Sequence, residues 1–271
     1  MTTKEQTTHQ FKISTPVKWV KDWFARNRLV LLVVLGLFVL WKIYVEFIRY
    51  RGNAYFPSIS YMIHQSLRFQ DKLIAGVITT ATEVTVGFIL SVIIGVTVGI
   101  IMAESFIVRQ ISIPALVFTY SVPHAIMAPL FIIWFGRGLL GIGLFVAWFG
   151  FFQVMINTLT GFTQINEEFK HLGEVLNASR WQMISKIKFW AALPHIAGGI
   201  KVAVQQAIIG AVIAEFIASG GGLGFLILNS LLLLREGLTF GVLIVLMVFS
   251  VSFYKVVTFL IDYLSPGPGG V

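Results

Sequence analysis

Glu83, His124 and Glu215 are ionisable side chains that lie inside long apolar stretches of this sequence. A charge at the bilayer centre costs roughly 3 kcal/mol unless it is paired or faces water, so such residues often mark solute pathways. We therefore predict a translocation-pathway role for all three. For Glu83 the structural alternative is pairing with a basic group. For His124 the structural alternative is a hydrogen bond to a backbone carbonyl that a helix break has freed.

The sequence lacks the clusters that enzymes use. It has no cysteine, and its five histidines (9, 64, 124, 171 and 195) are scattered. It also lacks the G-x-x-x-x-G-K-[ST] loop that binds nucleotide phosphates. The run from Gly220 to Gly224 has no lysine and follows an apolar segment, so we interpret it as a flexible external turn or a helix end. We predict no catalytic residue, cofactor or metal in this chain.

The composition indicates a membrane protein. Hydrophobic residues make up 57% of the chain and charged residues only 12%, against about 25% charged residues in soluble domains. The mean hydropathy is +0.86. The net charge of +8 could suggest nucleic acid, but the basic residues concentrate in 1–28 and 170–188. That distribution fits cytoplasmic segments of a membrane protein, and we predict no nucleic-acid partner.

Six segments are long and apolar enough to span a bilayer. They are residues 29–48, 73–102, 111–135, 139–162, 195–217 and 240–264. The third contains Pro114, Pro123 and Pro129, so we expect it to be bent or broken. Phenylalanine is dense over residues 145–152, and we interpret that stretch as lipid-facing packing rather than a pocket for aromatic solutes.

The sequence predicts one transmembrane domain with two short flanking segments. Residues 1–28 form an N-terminal segment, 29–264 the transmembrane domain and 265–271 a flexible tail. An even number of spans places both termini on one side. The positive-inside rule assigns the termini and the 164–194 loop to the cytoplasm of a multi-pass plasma-membrane protein.

The loop at 164–194 predicts a hairpin of two amphipathic helices. One apolar face recurs at a spacing of four, three and four, through Ile165, Phe169, Leu172 and Leu176. Asn166 is the expected N-cap. A second helix follows the interruption at 177–179, and we expect it to end at Pro194. Such a hairpin suits either a groove on a partner protein or a surface of anionic lipid.

Short motifs in and around this hairpin match a known family. The run from Leu176 to Gln182 reads L-N-A-S-R-W-Q, and A-A-L-P follows at 191–194. These residues resemble the EAA loop of binding-protein-dependent ABC permeases, and they are most similar to the nitrate/sulfonate/taurine branch. The ordered set V-T-V-G-F at 84–88, P-L-F-I-I-W-F-G at 129–136 and A-E…G-L-G at 214–224 resembles other motifs of the same branch.

The resemblance implies a fold and a set of partners. The fold is an all-α membrane protein of about six transmembrane helices in the type I ABC importer permease arrangement, with a cytoplasmic coupling-helix hairpin. The partners are two cytoplasmic ABC ATPase subunits that carry the ATP, a second permease copy and an external solute-binding protein. The residues implied at the ATPase contact are Asn177, Ala178, Ser179, Arg180 and Trp181.

The implied function is that of the permease subunit of an ATP-driven importer for a small solute such as a sulfonate, taurine or nitrate. A permease of the same family for a pyrimidine precursor, a flavin or an aromatic acid is the alternative. An ATP-independent channel or secondary transporter would also have about six spans, but it would need no cytoplasmic partner for the hairpin. A membrane-embedded enzyme would need clustered acid–base or metal-binding residues.

Overall fold

The computed structural model describes residues 28, 29, 32, 33, 35–44, 57–218 and 220–264, and these are predominantly helical with no strand among them. The predicted N-terminal segment before residue 28 and the predicted tail at 265–271 lie outside this range. The predicted first span, 29–48, is described only in part. Its described residues include a short apolar helix, α1 (Leu35–Tyr44).

The rest of the described chain folds into helices joined by short connections. In chain order these are α2 (Ile59–Arg68), α3 (Gln70–Glu104), α4 (Phe106–Ser121), α5 (Ala128–Phe135), α6 (Leu139–Thr163), α7 (Glu167–Val175), α8 (Arg180–Gln182), α9 (Phe189–Ala218), α10 (Gly222–Leu232) and α11 (Glu236–Leu264). A π-helical segment, Met183–Lys188, joins α8 to α9, so that one continuous helix runs from Arg180 to Ala218.

Among the described residues, four helices are long and apolar enough to cross a membrane. They are α3, α6, the continuous helix that contains α9, and α11. The pair α4 and α5 supplies a fifth span if both halves are counted together. The all-α membrane fold is thus confirmed, whereas the predicted number of six spans is not.

The third predicted span is broken, as its prolines indicate. Helix α4 ends at Ser121, a short 3₁₀ helix (His124–Met127) follows Pro123, and α5 continues the chain. The two halves meet at 91°. Because the pyrrolidine ring keeps Val122 out of the α-helical region, this is where the helix turns; its ψ angle is 125°.

Close packing of α3 on α6 forms the centre of the bundle. Gly87, Gly95 and Gly99 recur on one face of α3 and contact α6. A methyl group added at Gly95 would lie 2.7 Å from the Cβ of Val154, and one at Gly99 would lie 2.6 Å from the Cβ of Thr158. Small residues at such positions let two membrane helices approach closely.

The predicted helix end at Pro194 is wrong, and so is the predicted start of the next span at residue 195. Pro194 lies inside α9, which runs on to Ala218. One proline removes a single intrahelical hydrogen bond, and packing on α6 outweighs that loss. Gly161 of α6 lies against Ala192, two residues before the proline, and Gly199 lies against Asn157.

Two short helices were not predicted. Helix α2 packs on the first turns of α11, where Gly237 lies against Tyr61 and Gly241 against Ser66. Helix α10 packs on the beginning of α3, with Leu223 and Leu226 in a buried apolar cluster. Both helices are too short to span a bilayer, which is why a search for apolar spans omits them.

Candidate functional site

The predicted amphipathic hairpin is present, and its first arm is α7. Asn166 occupies the N-cap position as predicted, but its side chain makes no cap hydrogen bond. Glu167 and Glu168 lie in the first turn, where the helix dipole stabilises negative charge. Ile165 is buried, whereas Phe169 and Leu172 are exposed. Much of the predicted apolar face is therefore uncovered in this chain.

The hairpin turns at Asn177, which adopts the left-handed conformation with a φ of 47°. Two hydrogen bonds close the end of α7. The Asn177 N–H donates to the Glu174 carbonyl at 3.0 Å, and the Ala178 N–H donates to the Gly173 carbonyl at 2.9 Å. This is the Schellman arrangement, and asparagine tolerates its left-handed position better than other non-glycine residues do.

The second arm begins with a complete capping box. The Ser179 hydroxyl accepts from the Gln182 N–H at 3.3 Å, and the Gln182 side chain accepts from the Ser179 N–H at 2.9 Å. A capping box satisfies two backbone donors that a helix start otherwise leaves free. The corner is therefore closed on both sides by its own hydrogen bonds.

The five predicted coupling residues lie together at this corner. Trp181 is 74% exposed, and the neighbouring Val175 and Leu176 are 79% and 64% exposed. Arg180 is one of the residues implied at the ATPase contact. In this chain its Nη2 donates to the backbone carbonyl of Glu104 at 3.3 Å. The corner thus presents a cluster of uncovered apolar side chains beside an arginine that holds the end of α3.

Glu215 lies at a second helix break, and its carboxylate is fully buried. One oxygen accepts from the Thr80 hydroxyl at 2.6 Å, and the other accepts from the Gly224 N–H at 2.5 Å. The Thr80 hydroxyl in turn accepts from the Leu223 N–H at 2.8 Å. Glu215 and Thr80 together therefore cap the start of α10 and join α3, α9 and α10.

This break lies in the interior of the helical bundle. Thr80 is ten residues into α3, about 15 Å along the helix at 1.5 Å per residue. Gly221 and Gly222 make the turn with φ angles of 154° and 90°, and a side chain at Gly222 would collide with the Glu215 carboxyl. The 220–224 run follows the end of α9 and starts α10, a helix that was not predicted. Its residues from Gly222 to Gly224 are buried, so the prediction of a flexible external turn is wrong.

Glu83 lies one turn beyond Thr80 on the same face of α3 and is buried. Its carboxyl group faces that of Glu215, and its Oε2 has no hydrogen-bond partner. Among the described residues, no ion pair joins Glu83 to a basic side chain. The expected pairing with a basic group is thus replaced by a contact between two carboxyl groups from α3 and α9.

His124 lies at the break of the third span, within a cluster of aromatic rings. Its ring centroid is 4.9 Å from that of Trp148, 5.5 Å from Phe149 and 5.7 Å from Phe152. Phe145 and Phe152 are buried, so the prediction that residues 145–152 face lipid is wrong for these two rings. Phe145 packs on Phe131 of α5, and Phe152 packs on the His124 ring, so both rings face the broken third span.

Three residues of these sites were not predicted, namely Thr80, Glu104 and Lys188. Glu104 ends α3, and its Oε1 lies 2.6 Å from the Lys188 Nζ. For Thr80 a signal existed, since it precedes Glu83 by three residues and must share its helical face. No such signal existed for Glu104 and Lys188, which are 84 residues apart. Among the described residues, no group of three His, Asp or Glu side chains could hold a metal ion.

Comparison with known proteins decides the family. The model for the "Binding-protein-dependent transport system inner membrane component" family matches residues 95–269, more than half of the chain. The chain belongs to this family. It is therefore the permease component of an ABC importer, a multi-pass membrane protein rather than a catalytic subunit.

Named relatives agree with this assignment. The permease is 27% identical, over 86% of its length and 94% of the relative's, to a Haemophilus influenzae protein named as an ABC transporter permease. It is 31% identical to a Bacillus subtilis protein named as an aliphatic sulfonates transport permease, over 60% and 61% of the two chains. It is 26% identical to the formylaminopyrimidine transport permease of Halalkalibacterium halodurans, over 72% and 77%.

Proposed function

We propose that the hairpin corner of the permease, at Asn177–Trp181 within the coupling loop 164–194, is the surface that receives the movement of an ATPase subunit. The observation that carries this proposal is the exposure of Trp181, Val175 and Leu176 on a corner that its own hydrogen bonds hold rigid. Exposed apolar clusters rimmed by polar residues are typical of protein contacts, and tryptophan and arginine often dominate their energetics.

The remaining partners follow from this role. Two ATPase subunits bind and hydrolyse ATP, since the permease has no phosphate-binding loop of its own. A second permease copy completes the pathway, and an external binding protein delivers the solute. Domain 29–264 then spans the plasma membrane, with the termini and the hairpin in the cytoplasm, in accord with the basic residues of the N-terminal segment and of the hairpin.

For the solute, we propose a small molecule of the sulfonate, taurine or nitrate class. The similarity to the relative named for aliphatic sulfonates supports this class. A pyrimidine precursor, a flavin or an aromatic acid is the second candidate. It is supported by the relative named for formylaminopyrimidine transport and by the ring cluster around His124, because aromatic rings stack on planar solutes. Uptake of labelled taurine, nitrate and riboflavin by cells with and without the permease gene distinguishes the two candidate solute classes.

Within the pathway, we propose that His124 faces the solute, while Glu83 and Glu215 hold the wall of the pathway in shape. His124 is half-buried at a break of the bundle. The two glutamates are almost fully buried among α3, α9 and α10, a placement that favours positioning of helices over direct contact with solute.

Replacement of Trp181 tests the coupling role. We expect the Trp181→Ala permease to fold normally. A tagged Trp181→Ala permease should recover at least tenfold less ATPase than the native one, because the loss of a binding hot spot costs about 1.4 kcal/mol or more. Trp190→Ala is the matched control, since Trp190 is also exposed, at 62%, nine residues further along the same helix. Equal recovery of ATPase with Trp181→Ala and with the native permease would refute the role of the corner.

A further inference from the structure

The end of α3 is tied to the second arm of the hairpin at two points. The Glu104 carboxylate pairs with the Lys188 Nζ at 2.6 Å, and the Glu104 carbonyl accepts from the Arg180 Nη2 at 3.3 Å. The Lys188 and Glu104 side chains are only 22% and 17% exposed. Such a sheltered pair is screened less by water and salt than a surface pair would be.

The π-helical segment explains how Arg180 and Lys188 reach the same residue. They are eight residues apart, which exceeds two turns of an α-helix at 3.6 residues per turn. The segment Met183–Lys188 has the wider turns of a π-helix, whose hydrogen bonds run from i to i+5. The extra width brings both cations onto the side of the helix that faces α3.

The residues around this contact place it where α3 ends and α4 begins. Ser105 follows Glu104 and caps α4 by accepting from the Val108 N–H, so the tied point is the corner between α3 and α4. Beside it, Ala103 and Ile100 pack against a buried cluster of Phe162, Ala192 and Ile196. Helix α4 leads directly to the break at His124.

We infer that Glu104 is a positioning residue for transport, which clamps the α3–α4 corner to the hairpin so that both move as one body. This inference rests on the proposed coupling role of the hairpin. Movement received at Trp181 then passes through Arg180 and Lys188 to Glu104, and from there along α4 to the broken third span. Without the clamp, the hairpin still binds the ATPase, but its movement no longer reaches α4.

A distance between two labels tests the clamp directly. The native chain has no cysteine, so Gln110→Cys and Lys186→Cys, both at exposed positions, place one spin label on α4 and one on the hairpin. The complex with its ATPase is measured without nucleotide and after trapping with Mg-ATP and vanadate. We expect one narrow distance distribution that is the same in both states.

Variants of the pair supply the decisive comparison. In the Glu104→Gln and Lys188→Met variants, we expect a broad distance distribution that differs between the two nucleotide states. The amount of bound ATPase should stay unchanged. The double exchange Glu104→Lys with Lys188→Glu should restore the narrow distribution. Asp262→Asn is the matched control, because it breaks the 2.7 Å pair between Lys201 and Asp262, away from the hairpin, and it should change nothing.

The outcomes separate this inference from the proposed coupling role. Glu104→Gln and Lys188→Met variants that keep the native distance in both states would overturn the clamp. A native permease that recovers no ATPase would instead refute the proposed coupling role. In that case the distance in the isolated permease still shows whether the clamp holds, because Glu104→Gln should broaden it there as well.

Discussion

Two capped turns of the permease differ in their surroundings, because one is exposed and the other is buried. At the hairpin corner, Ser179 and Gln182 satisfy the free backbone groups on the surface. At the break before α10, Thr80 and Glu215 do so in the interior. Both turns use a hydroxyl group and a left-handed or glycine-rich backbone. Only the buried turn draws its caps from other helices.

The difference follows from access to water. Within a bilayer, no water replaces a missing hydrogen-bond partner, so every freed N–H must be satisfied by the protein. The buried break therefore fixes three helices together and leaves little freedom. The exposed corner is capped by its own residues, and its apolar side chains remain accessible to a partner protein. We interpret the buried break as a structural joint and the exposed corner as a contact surface.

The largest expected effect is that of Glu215→Leu. This change leaves the Gly224 N–H and the Thr80 hydroxyl without their acceptor in a site that water does not reach. We expect a loss of more than about 3 kcal/mol in the free energy of unfolding, seen as a much lower unfolding midpoint in detergent. Glu174→Gln, at an exposed position of the hairpin, should leave the midpoint unchanged. A normal midpoint for Glu215→Leu would show that the buried turn is not held by this carboxylate.

A smaller effect is expected for Thr80→Val, which keeps the shape of the side chain but removes its hydroxyl. The Leu223 N–H then has no acceptor, and Glu215 loses one donor. We expect a loss of about 1–3 kcal/mol in the free energy of unfolding. Thr79→Val is the matched control, because the Thr79 hydroxyl donates within its own helix, to the Ala75 carbonyl.

The smallest effect on stability is expected for Ser179→Ala, the corresponding change at the exposed corner. Water can replace the lost hydroxyl, so the cost should be about 1 kcal/mol and confined to the hairpin. Faster hydrogen exchange at residues 180–183, with an unchanged global midpoint, is the expected result. If Ser179→Ala lowered the midpoint as much as Thr80→Val, the contrast between the two turns would be wrong.

The parts of the molecule predicted well from sequence are those governed by local chemistry. The interruption predicted at 177–179 is the corner of the hairpin, and the prolines of the third span indicated its break. Long apolar runs gave α3, α6 and α11 to within a few residues. In each case the deciding interaction lies within one helix or one turn.

The errors arose where distant residues decide the outcome. Pro194 stays inside a helix because Ala192 packs on Gly161, and the glycine turn before α10 is buried because Glu215 and Thr80 cap it. Glu104 looked like an ordinary polar helix end, since nothing near it in sequence points to Lys188. Such contacts depend on the packing of several helices, which periodicity within one segment does not reveal.

The most direct test of the central claim is the side of the membrane on which the hairpin corner lies. Val175→Cys places a single thiol at a residue that is 79% exposed at the corner, and Leu234→Cys places one at a residue that is 78% exposed in the turn between α10 and α11. A membrane-impermeant maleimide should label Val175→Cys only in inside-out vesicles, and bound ATPase should protect it. Leu234→Cys should be labelled only from outside. Labelling of Val175→Cys in intact cells would contradict the coupling role of the hairpin.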